Sequence, residues 1–279
     1  MLKFSKMHGL GNDFIVIDAT RRPFAADGSR LAALADRHFG IGCDQILVID
    51  PPPADDSSVD FGYRIYNADG GEVGQCGNGV RCLARYASDH GLSDKAKLRV
   101  RTRSATMETE LLADGRVRVD MGVPRFDPPD IPLRAARAVR YTATVAEGDT
   151  VTFGAVSMGN PHAVLEVGDL AAAPIERVGG ALQRDPLFPA GVNVGFARFV
   201  DPTHMELRVL ERGAGETLAC GSGACGAAAV GRLWGRLGPH CRVTLRGGNL
   251  DIDWAGEGHT LYMSGPATTV FEGSIEWQS

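Results

Sequence analysis

The sequence predicts an α/β protein built from two homologous halves, and three observations support this. Short segments recur in the same order: GNDFIVID (11–18) is similar to GNPHAVLEV (159–167), QCGNGVRCLARYA (75–87) to ACGSGACGAAAVG (219–231), and MGVP (121–124) to MSGP (263–266). Each half combines strand-like patterns with one main helix pattern. Apolar residues make up 44% of the chain, enough for packed cores. Because the repeat spans about half the chain, it indicates a duplicated domain rather than a solenoid.

The first half contains most of the clear element patterns. Strands are predicted at 2–9, 13–18, 61–67, 97–102, 107–113 and 116–122, with a hairpin turn at Asp114–Gly115. A short helix is predicted at 31–40, ending at a glycine, and a longer one at 78–91, closed by Gly91.

The second half repeats this plan. Strands are predicted at 204–213, 241–248, 250–258 and 259–265, and a helix at 223–238, ending at Gly238. A polar loop is expected at 51–58, and a crossing between the halves at 127–137.

Composition excludes several classes of partner. The net charge of the 279 residues is −5, and Lys and Arg form no block, so nucleic acid is not an expected partner. No apolar run is long enough for a transmembrane helix, and the first residues lack the apolar core of a signal peptide. We expect a cytoplasmic protein with no membrane partner, whose six cysteines are reduced.

Both halves place a cysteine directly before a helix. Cys76 precedes Gly77-Asn78-Gly79, and Cys220 precedes Gly221-Ser222-Gly223. The unpaired amides of a helix N-terminus carry partial positive charge, which favours a thiolate, and glycines let these amides approach a bound anion. Each half is therefore predicted to hold one reactive thiol and one set of carboxylate-binding amides.

Two such sites, related by a pseudo-two-fold axis, would face each other across a cleft. Inverting a carbon centre by proton transfer needs a base on one face and an acid on the other, and a thiolate–thiol pair can exchange these roles. The amides would hold the carboxylate next to the reacting carbon and stabilise the developing charge.

Three other interpretations of these segments compete with this one. Gly221, Gly223 and Gly226 fit G-x-G-x-x-G, but no acidic residue follows at the offset that dinucleotide binding requires. The cysteines form no C-x-x-C pair, so no metal site is predicted. A hydrolase with a cysteine nucleophile stays open; it would need a paired histidine and would leave one cysteine superfluous.

Four segments resemble the signatures of diaminopimelate epimerases: KMHGLGNDFIVID, IYNADGGEVGQCGNGVRC, SMGNPHAV and ERGAGETLACGSGAC. The resemblance runs from residue 3 to about 272. It implies an epimerase that interconverts L,L- and meso-diaminopimelate without a cofactor, in lysine and peptidoglycan biosynthesis, usually as a homodimer. The implied fold has two halves, each a curved, mostly antiparallel sheet or barrel around a central helix. With the C-terminal strand returning to the first half, the predicted domains are 1–118 plus 263–279, with Cys76, and 119–262, with Cys220.

The resemblance also implies roles for individual residues. Cys76 and Cys220 would be the catalytic pair, and His162 and Glu211 would tune their protonation. The positions that match the family's substrate contacts are Asn12, Gln45, Asn67, Gly77, Asn78, Asn160, Asn193, Glu211, Arg212, Gly221 and Ser222. Among these, Arg212 can clamp a carboxylate and Glu211 can hold an ammonium.

The remaining cysteines are predicted to be small core residues: Cys43, which departs from the family pattern, Cys82, Cys225 and Cys241. Oxidation is predicted to join Cys76 to Cys220 and to inactivate the enzyme.

Two competing functions remain. One is a proline racemase-like enzyme that acts on a cyclic amino acid, which would not require the distal-end residues Glu211 and Arg212. The other is a cytosolic binding protein, and the presence of both helix-preceding cysteines argues against it.

Overall fold

A computed structural model describes residues 1–25, 27–74, 77–145 and 148–277. The chain forms two compact units. Unit 1 comprises Met1–Asp120 and Gly265–Ser279, and unit 2 comprises Met121–Ser264. Cys76, one of the two predicted catalytic thiols, lies outside the described residues.

The described strands, in chain order, are β1 (Leu2–Gly9), β2 (Asn12–Asp18), β3 (Gln45–Asp50), β4 (Phe61–Asn67), β5 (Glu72–Val73), β6 (Lys97–Arg101), β7 (Thr106–Leu111), β8 (Val117–Asp120), β9 (Tyr141–Thr144), β10 (Thr150–Ser157), β11 (Pro161–Glu166), β12 (Asn193–Asp201), β13 (His204–Glu211), β14 (Gly215–Glu216), β15 (His240–Leu245), β16 (Gly248–Trp254), β17 (Leu261–Gly265) and β18 (Thr268–Ile275). The α-helices are α1 (Gly28–Ala35), α2 (Gly77–Asp89), α3 (Gly180–Gln183) and α4 (Gly221–Leu233). The described residues also form a 3₁₀ turn (Pro128–Asp130) and a π-helical turn (Ile175–Gly179). None of the helices in this described part has the length and hydropathy needed to cross a membrane.

Both units have the same strand order and the same pairing senses. In unit 1 the order is β18-β1-β2-β3-β4-β6-β7-β8, and in unit 2 it is β9-β10-β11-β12-β13-β15-β16-β17. The parallel pairs are β2–β3 and β4–β6 in unit 1 and β11–β12 and β13–β15 in unit 2. The other neighbouring pairs in the two orders are antiparallel. The predicted class, two similar halves with a mostly antiparallel sheet, is confirmed. Within the described pairings of each unit, the strands form a mixed sheet rather than a closed barrel.

One buried helix lies at the centre of each unit. In α2 nine residues are buried, and α4 is buried along almost its whole length. Small residues allow the sheet to approach α4 closely: a Cβ at Gly226 would lie 3.1 Å from Val156 Cγ1 and 3.3 Å from His162 Cβ. The side chain of His162 therefore packs directly against the helix that begins after Cys220.

Two predicted helix ends are wrong. Helix α4 ends at Leu233 instead of Gly238, and Gly235, with φ of 70°, takes the left-handed conformation that follows many helices. Helix α1 ends at Ala35 rather than Gly40, and the Asp36 carboxylate accepts the next two free amides, at 2.7 Å each. A local side-chain acceptor thus replaces the helical hydrogen bonds.

Several strands were not predicted, among them β3 and β12, whereas β18, which pairs with β1 of unit 1, is the C-terminal strand that the family resemblance implied. Strand β3 is buried on both faces, so its sequence, QILVID, lacks the alternation by which half-buried strands are recognised. Strand β18 has the opposite character, since it is exposed along most of its length.

The predicted core cysteines are all buried. Cys43 packs in a cluster with Phe4, Ile15 and Leu31, and Cys82, Cys225 and Cys241 have at most 7% exposure. Burial raises the pKa of Cys43 and of Cys241 to about 12. These predictions are confirmed.

Candidate active site

In unit 2, strand ends and a helix start bring predicted site residues to one edge of the sheet. Asn160 directly precedes β11, Asn193 begins β12, and β12 runs parallel to β11. Glu211 ends the antiparallel strand β13, and Cys220 is the residue directly before α4. The topology therefore delivers four polar groups from distant parts of the chain to the N-terminus of α4.

The thiol of Cys220 is buried, and it stays protonated at neutral pH. Burial, followed by the negative charge of Glu211, raises its pKa well above the ordinary value. The Ser222 hydroxyl, 3.7 Å from the sulfur, and the Gly223 amide act in the opposite direction but do not prevail. The helix amides favour a thiolate, as expected, but at Cys220 desolvation outweighs them.

A chain of side-chain hydrogen bonds leads from His162 to Cys220. His162 Nε2 lies 2.9 Å from Asn160 Oδ1, and Asn160 Nδ2 donates to Ser222 Oγ over 3.3 Å. Because the Asn160 amide nitrogen donates to the serine, its oxygen accepts, and His162 Nε2 is the donor. Burial, aided by the charge of Arg212, lowers the pKa of His162 to about 3. His162 is therefore a neutral residue that orients Asn160.

Asn193 and Arg212 are linked to each other. The backbone N–H of Arg212 donates to Asn193 Oδ1 over 2.9 Å, and Asn193 Nδ2 donates to the Pro161 carbonyl over 3.2 Å. Asn193 thus holds the ends of β11 and β13 together. The Arg212 guanidinium donates to the Ala190 carbonyl over 2.5 Å, on the exposed side of this edge.

A residue that was not predicted holds Glu211 in place. The Thr217 hydroxyl donates to Glu211 Oε1 over 2.5 Å. Thr217 follows β14, which folds back on β13. The spacing of threonine and glutamate within ERGAGET gave no indication of this contact in the sequence.

In unit 1 the corresponding edge holds the other predicted residues. Asn12 begins β2, Gln45 begins β3, Asn67 ends β4, and Gly77 begins α2. Asn78 Nδ2 donates to Asn12 Oδ1 over 3.2 Å, and Gln45 Nε2 donates to Asn67 Oδ1 over 2.9 Å. Gln45 Oε1 is buried and has no hydrogen-bond donor among the described residues, so it is a candidate acceptor for a bound ligand.

An ionic cluster beside Asn12 was also not predicted. Asp13 accepts two hydrogen bonds from Arg37, at 2.7 and 3.0 Å, and one from Lys6 at 2.6 Å. Arg37 also binds Asp44 at 2.7 Å. Burial tends to raise the pKa of Asp13, but Arg37 and Lys6 together hold it well below its usual range. Because Asp13 directly follows Asn12, this cluster fixes the backbone next to Asn12.

The structure thus separates the predicted site residues into two sets, one in each unit. Asn12, Gln45, Asn67, Gly77 and Asn78 belong to unit 1, and the remainder, Cys76 apart, to unit 2. Within residues 1–25, 27–74, 77–145 and 148–277, no group of three or more His, Cys, Asp or Glu side chains is placed to hold a metal ion.

Comparison with solved structures shows the fold. The crystal structure of a hydroxyproline epimerase from Agrobacterium vitis, with bound trans-4-OH-L-proline, superposes with a TM-score of 0.68 and covers 98% of this chain and 91% of its own. The two sequences are 16% identical. At this identity the likeness concerns the fold alone.

Sequence comparison shows the family. The family model described as "Diaminopimelate epimerase" matches residues 4–126 and 154–270. A diaminopimelate epimerase from Azoarcus sp. (strain BH72) is 54% identical over 275 residues, and one from Nitrosospira multiformis is 52% identical over 278 residues; each match covers 99% of both chains. The chain belongs to the diaminopimelate epimerase family, as its sequence signatures predicted.

The buried neutral His162 makes stability depend on pH. Between about pH 6.5 and about pH 3 the unfolded chain binds a proton at this residue that the folded protein does not bind, so acidification destabilises the fold. We expect the contribution of His162 to the free energy of unfolding to be about 2 kcal/mol less favourable at pH 5 than at pH 7. Urea unfolding at the two pH values measures it.

The matched control for this prediction is His162→Gln, which keeps an N–H donor but does not titrate. Its loss of stability between pH 7 and pH 5 should be smaller than that of the unmodified protein by about the same 2 kcal/mol. Equal losses in the two proteins would mean that folding does not change the pKa of His162, which would contradict this prediction.

Proposed function

We propose that this protein is a cofactor-independent isomerase that interconverts L,L-diaminopimelate and meso-diaminopimelate. The main support for the proposal is the buried Cys220 directly before α4, where the charge of Glu211 helps to raise the pKa of the thiol, in a chain 54% identical to a diaminopimelate epimerase. The reaction moves one proton off the α-carbon and places another on its opposite face. It belongs to lysine and peptidoglycan biosynthesis, which fits the predicted cytoplasmic location.

The reacting carboxylate is held by backbone amides in this proposal. The first amides of a helix have no partner within the helix and carry partial positive charge. Gly77 and Asn78 of α2, and Gly221 and Ser222 of α4, supply such amides. They bind the carboxylate and stabilise the negative charge that develops when the α-proton leaves, so no pyridoxal phosphate is required.

Cys220 is the proton donor when the reaction starts from the free protein. Its raised pKa keeps the proton on the sulfur, while Cys76 acts as the thiolate base. The base takes the α-proton, Cys220 delivers its own proton to the other face, and the protein ends with the two protonation states exchanged. The Ser222 hydroxyl then stabilises the Cys220 thiolate, and the reverse reaction uses the same two groups in opposite roles.

The distal end of the substrate explains the remaining polar residues. Diaminopimelate carries a second ammonium and carboxylate away from the reacting carbon. The Arg212 guanidinium can bind that carboxylate with two hydrogen bonds, and Glu211, Asn160 and Asn193 can contact the ammonium group. The buried Gln45 Oε1 and its partner Asn67 are the corresponding acceptors in unit 1. A cyclic amino acid such as proline has no second amino-acid end for these groups.

The test of this function is proton NMR of L,L-diaminopimelate in D₂O with the purified, reduced protein and no added cofactor. We expect loss of the α-proton signal together with appearance of the meso isomer. Cys76→Ala and Cys220→Ala should each abolish epimerisation, because one of the two proton carriers is gone.

Cys241→Ala is the matched control, because Cys241 is equally buried but lies on β15, in the core. It should keep full activity. If the folded, reduced protein exchanges no proton of diaminopimelate but exchanges that of proline or hydroxyproline, the racemase alternative replaces this proposal.

A homodimer is the second part of the proposal. Strand β18 exposes Val270 to 57% and Phe271 to 48%, two adjacent large apolar side chains. Exposed apolar patches on stable proteins commonly mark interaction surfaces. We place the contact between two copies at this strand.

A charge on β18 should therefore separate the copies. Phe271→Asp is expected to shift the molar mass measured by light scattering from that of a dimer to that of a monomer. Val200→Asp, which places the same charge at an exposed valine of β12, should leave the mass unchanged. If the Phe271→Asp variant is still a dimer, the interface does not lie at β18.

A further inference from the structure

In both units an asparagine side chain is hydrogen-bonded to the start of the buried helix, but different residues orient it. In each, an asparagine at the start of a strand contacts the second residue of the buried helix. Asn12 accepts a hydrogen bond from Asn78 in α2 at 3.2 Å, and Asn160 donates one to Ser222 in α4 at 3.3 Å. The two amides therefore face their helices in opposite senses.

A second contact sets the sense of each amide. Asn12 Nδ2 donates to Asp44 Oδ2 over 3.0 Å, whereas Asn160 Oδ1 accepts from His162 Nε2 over 2.9 Å. A carboxylate can only accept, and a neutral imidazole N–H donates, so the outer partner decides which end of each amide points to the helix.

Asp44 has no equivalent in unit 2. The register of β2 on β3 pairs Phe14 with Gln45, and that of β11 on β12 pairs His162 with Asn193. Position 44 in unit 1 therefore corresponds to 192 in unit 2, which is an apolar valine, and Phe14 replaces the imidazole. The aspartate compensates for the missing histidine.

The ionic cluster holds Asp44 in place. Arg37 binds Asp44 Oδ1 at 2.7 Å, the Asp13 amide donates to Asp44 Oδ2 at 3.2 Å, and the Asp44 amide donates to Asp13 Oδ1 at 2.9 Å. Lys6, whose ammonium binds Asp13 and the Gly42 carbonyl, anchors the far side. A half-exposed carboxylate with this many contacts is fixed in one orientation.

We infer that Asp44, held by Arg37, is a positioning residue for the reaction: it turns the carbonyl of Asn12 toward the N-terminus of α2, as His162 turns the amide nitrogen of Asn160 toward α4. This inference rests on the proposed function, because it concerns how Asn12 meets the substrate. It also explains why the ionic cluster of unit 1 lies beside Asn12, although Asn12 itself carries no charge.

A double-mutant cycle tests the inference. Asp44→Ala should lower kcat/KM for epimerisation about ten- to a hundredfold, because Asn12 loses its orientation. In an Asn12→Ala background the same substitution should change kcat/KM less than about twofold, because its target is gone. Asp44→Asn, which keeps one acceptor oxygen, should recover part of the loss.

Asp50→Ala is the matched control. Asp50 lies at the other end of β3, and its carboxylate also binds an arginine, Arg64, through two hydrogen bonds. Its loss should lower the urea midpoint while kcat/KM stays within about twofold. The inference is overturned if Asp44→Ala is equally damaging with and without Asn12, or if Asp50→Ala reduces kcat/KM as much.

A readout without turnover separates this inference from the proposed function. The side-chain NH₂ signals of Asn12, assigned by their absence from the Asn12→Ala spectrum, should shift in Asp44→Ala and stay in place in Asp50→Ala. If the wild-type protein is inactive, the proposed function is wrong. The shift of the Asn12 NH₂ signals in Asp44→Ala would still show whether Asp44 orients the Asn12 amide. Unshifted signals would overturn the role of Asp44.

Discussion

The buried N-terminus of α4 determines how the strands around it must end. Helix α4 begins inside unit 2, and its first amides have no partners within the helix. A buried donor left unpaired is costly, so the surrounding strands must end where acceptors can reach it, or a ligand must supply them. The sulfur of Cys220 accepts from the Gly223 amide, and in the proposed function a bound carboxylate is the partner of the Gly221 and Ser222 amides.

Desolvation governs the chemistry at this position more strongly than the helix dipole. The helix amides alone would favour a thiolate, but Cys220 is buried and Glu211 lies beside it, so the proton stays on the sulfur. His162 follows the same logic, since burial keeps it neutral and lets it act as a hydrogen-bond donor of fixed orientation. An acid that must deliver its proton to carbon benefits from such an environment.

Much of this could be predicted from the sequence, and the limits have physical causes. The two halves could be predicted because short segments, such as GNDF and GNPH or QCGNG and ACGSG, are still similar in both copies of the duplicated domain. The strands β3 and β12 were missed because four or five consecutive residues of each are buried, so their sequences lack the alternation of a half-buried strand. The Asp44 contact was missed because it joins residues more than thirty positions apart, and no local pattern encodes it. The protonation of Cys220 depends on burial, which only the folded chain reveals.

The pH dependence of Cys220 alkylation shows directly whether this residue rests as a thiol. Iodoacetamide modification of this residue, followed by mass spectrometry in a Cys76→Ala protein, reports the fraction of thiolate through the shape of the curve rather than through the absolute rate. Because burial and Glu211 raise the pKa of this thiol, we expect a rate that is still rising at pH 10, with the curve moved to lower pH in Glu211→Gln. A plateau with its midpoint at or below pH 8 would mean that Cys220 rests as a thiolate, and the assignment of Cys220 as the initial proton donor would be wrong.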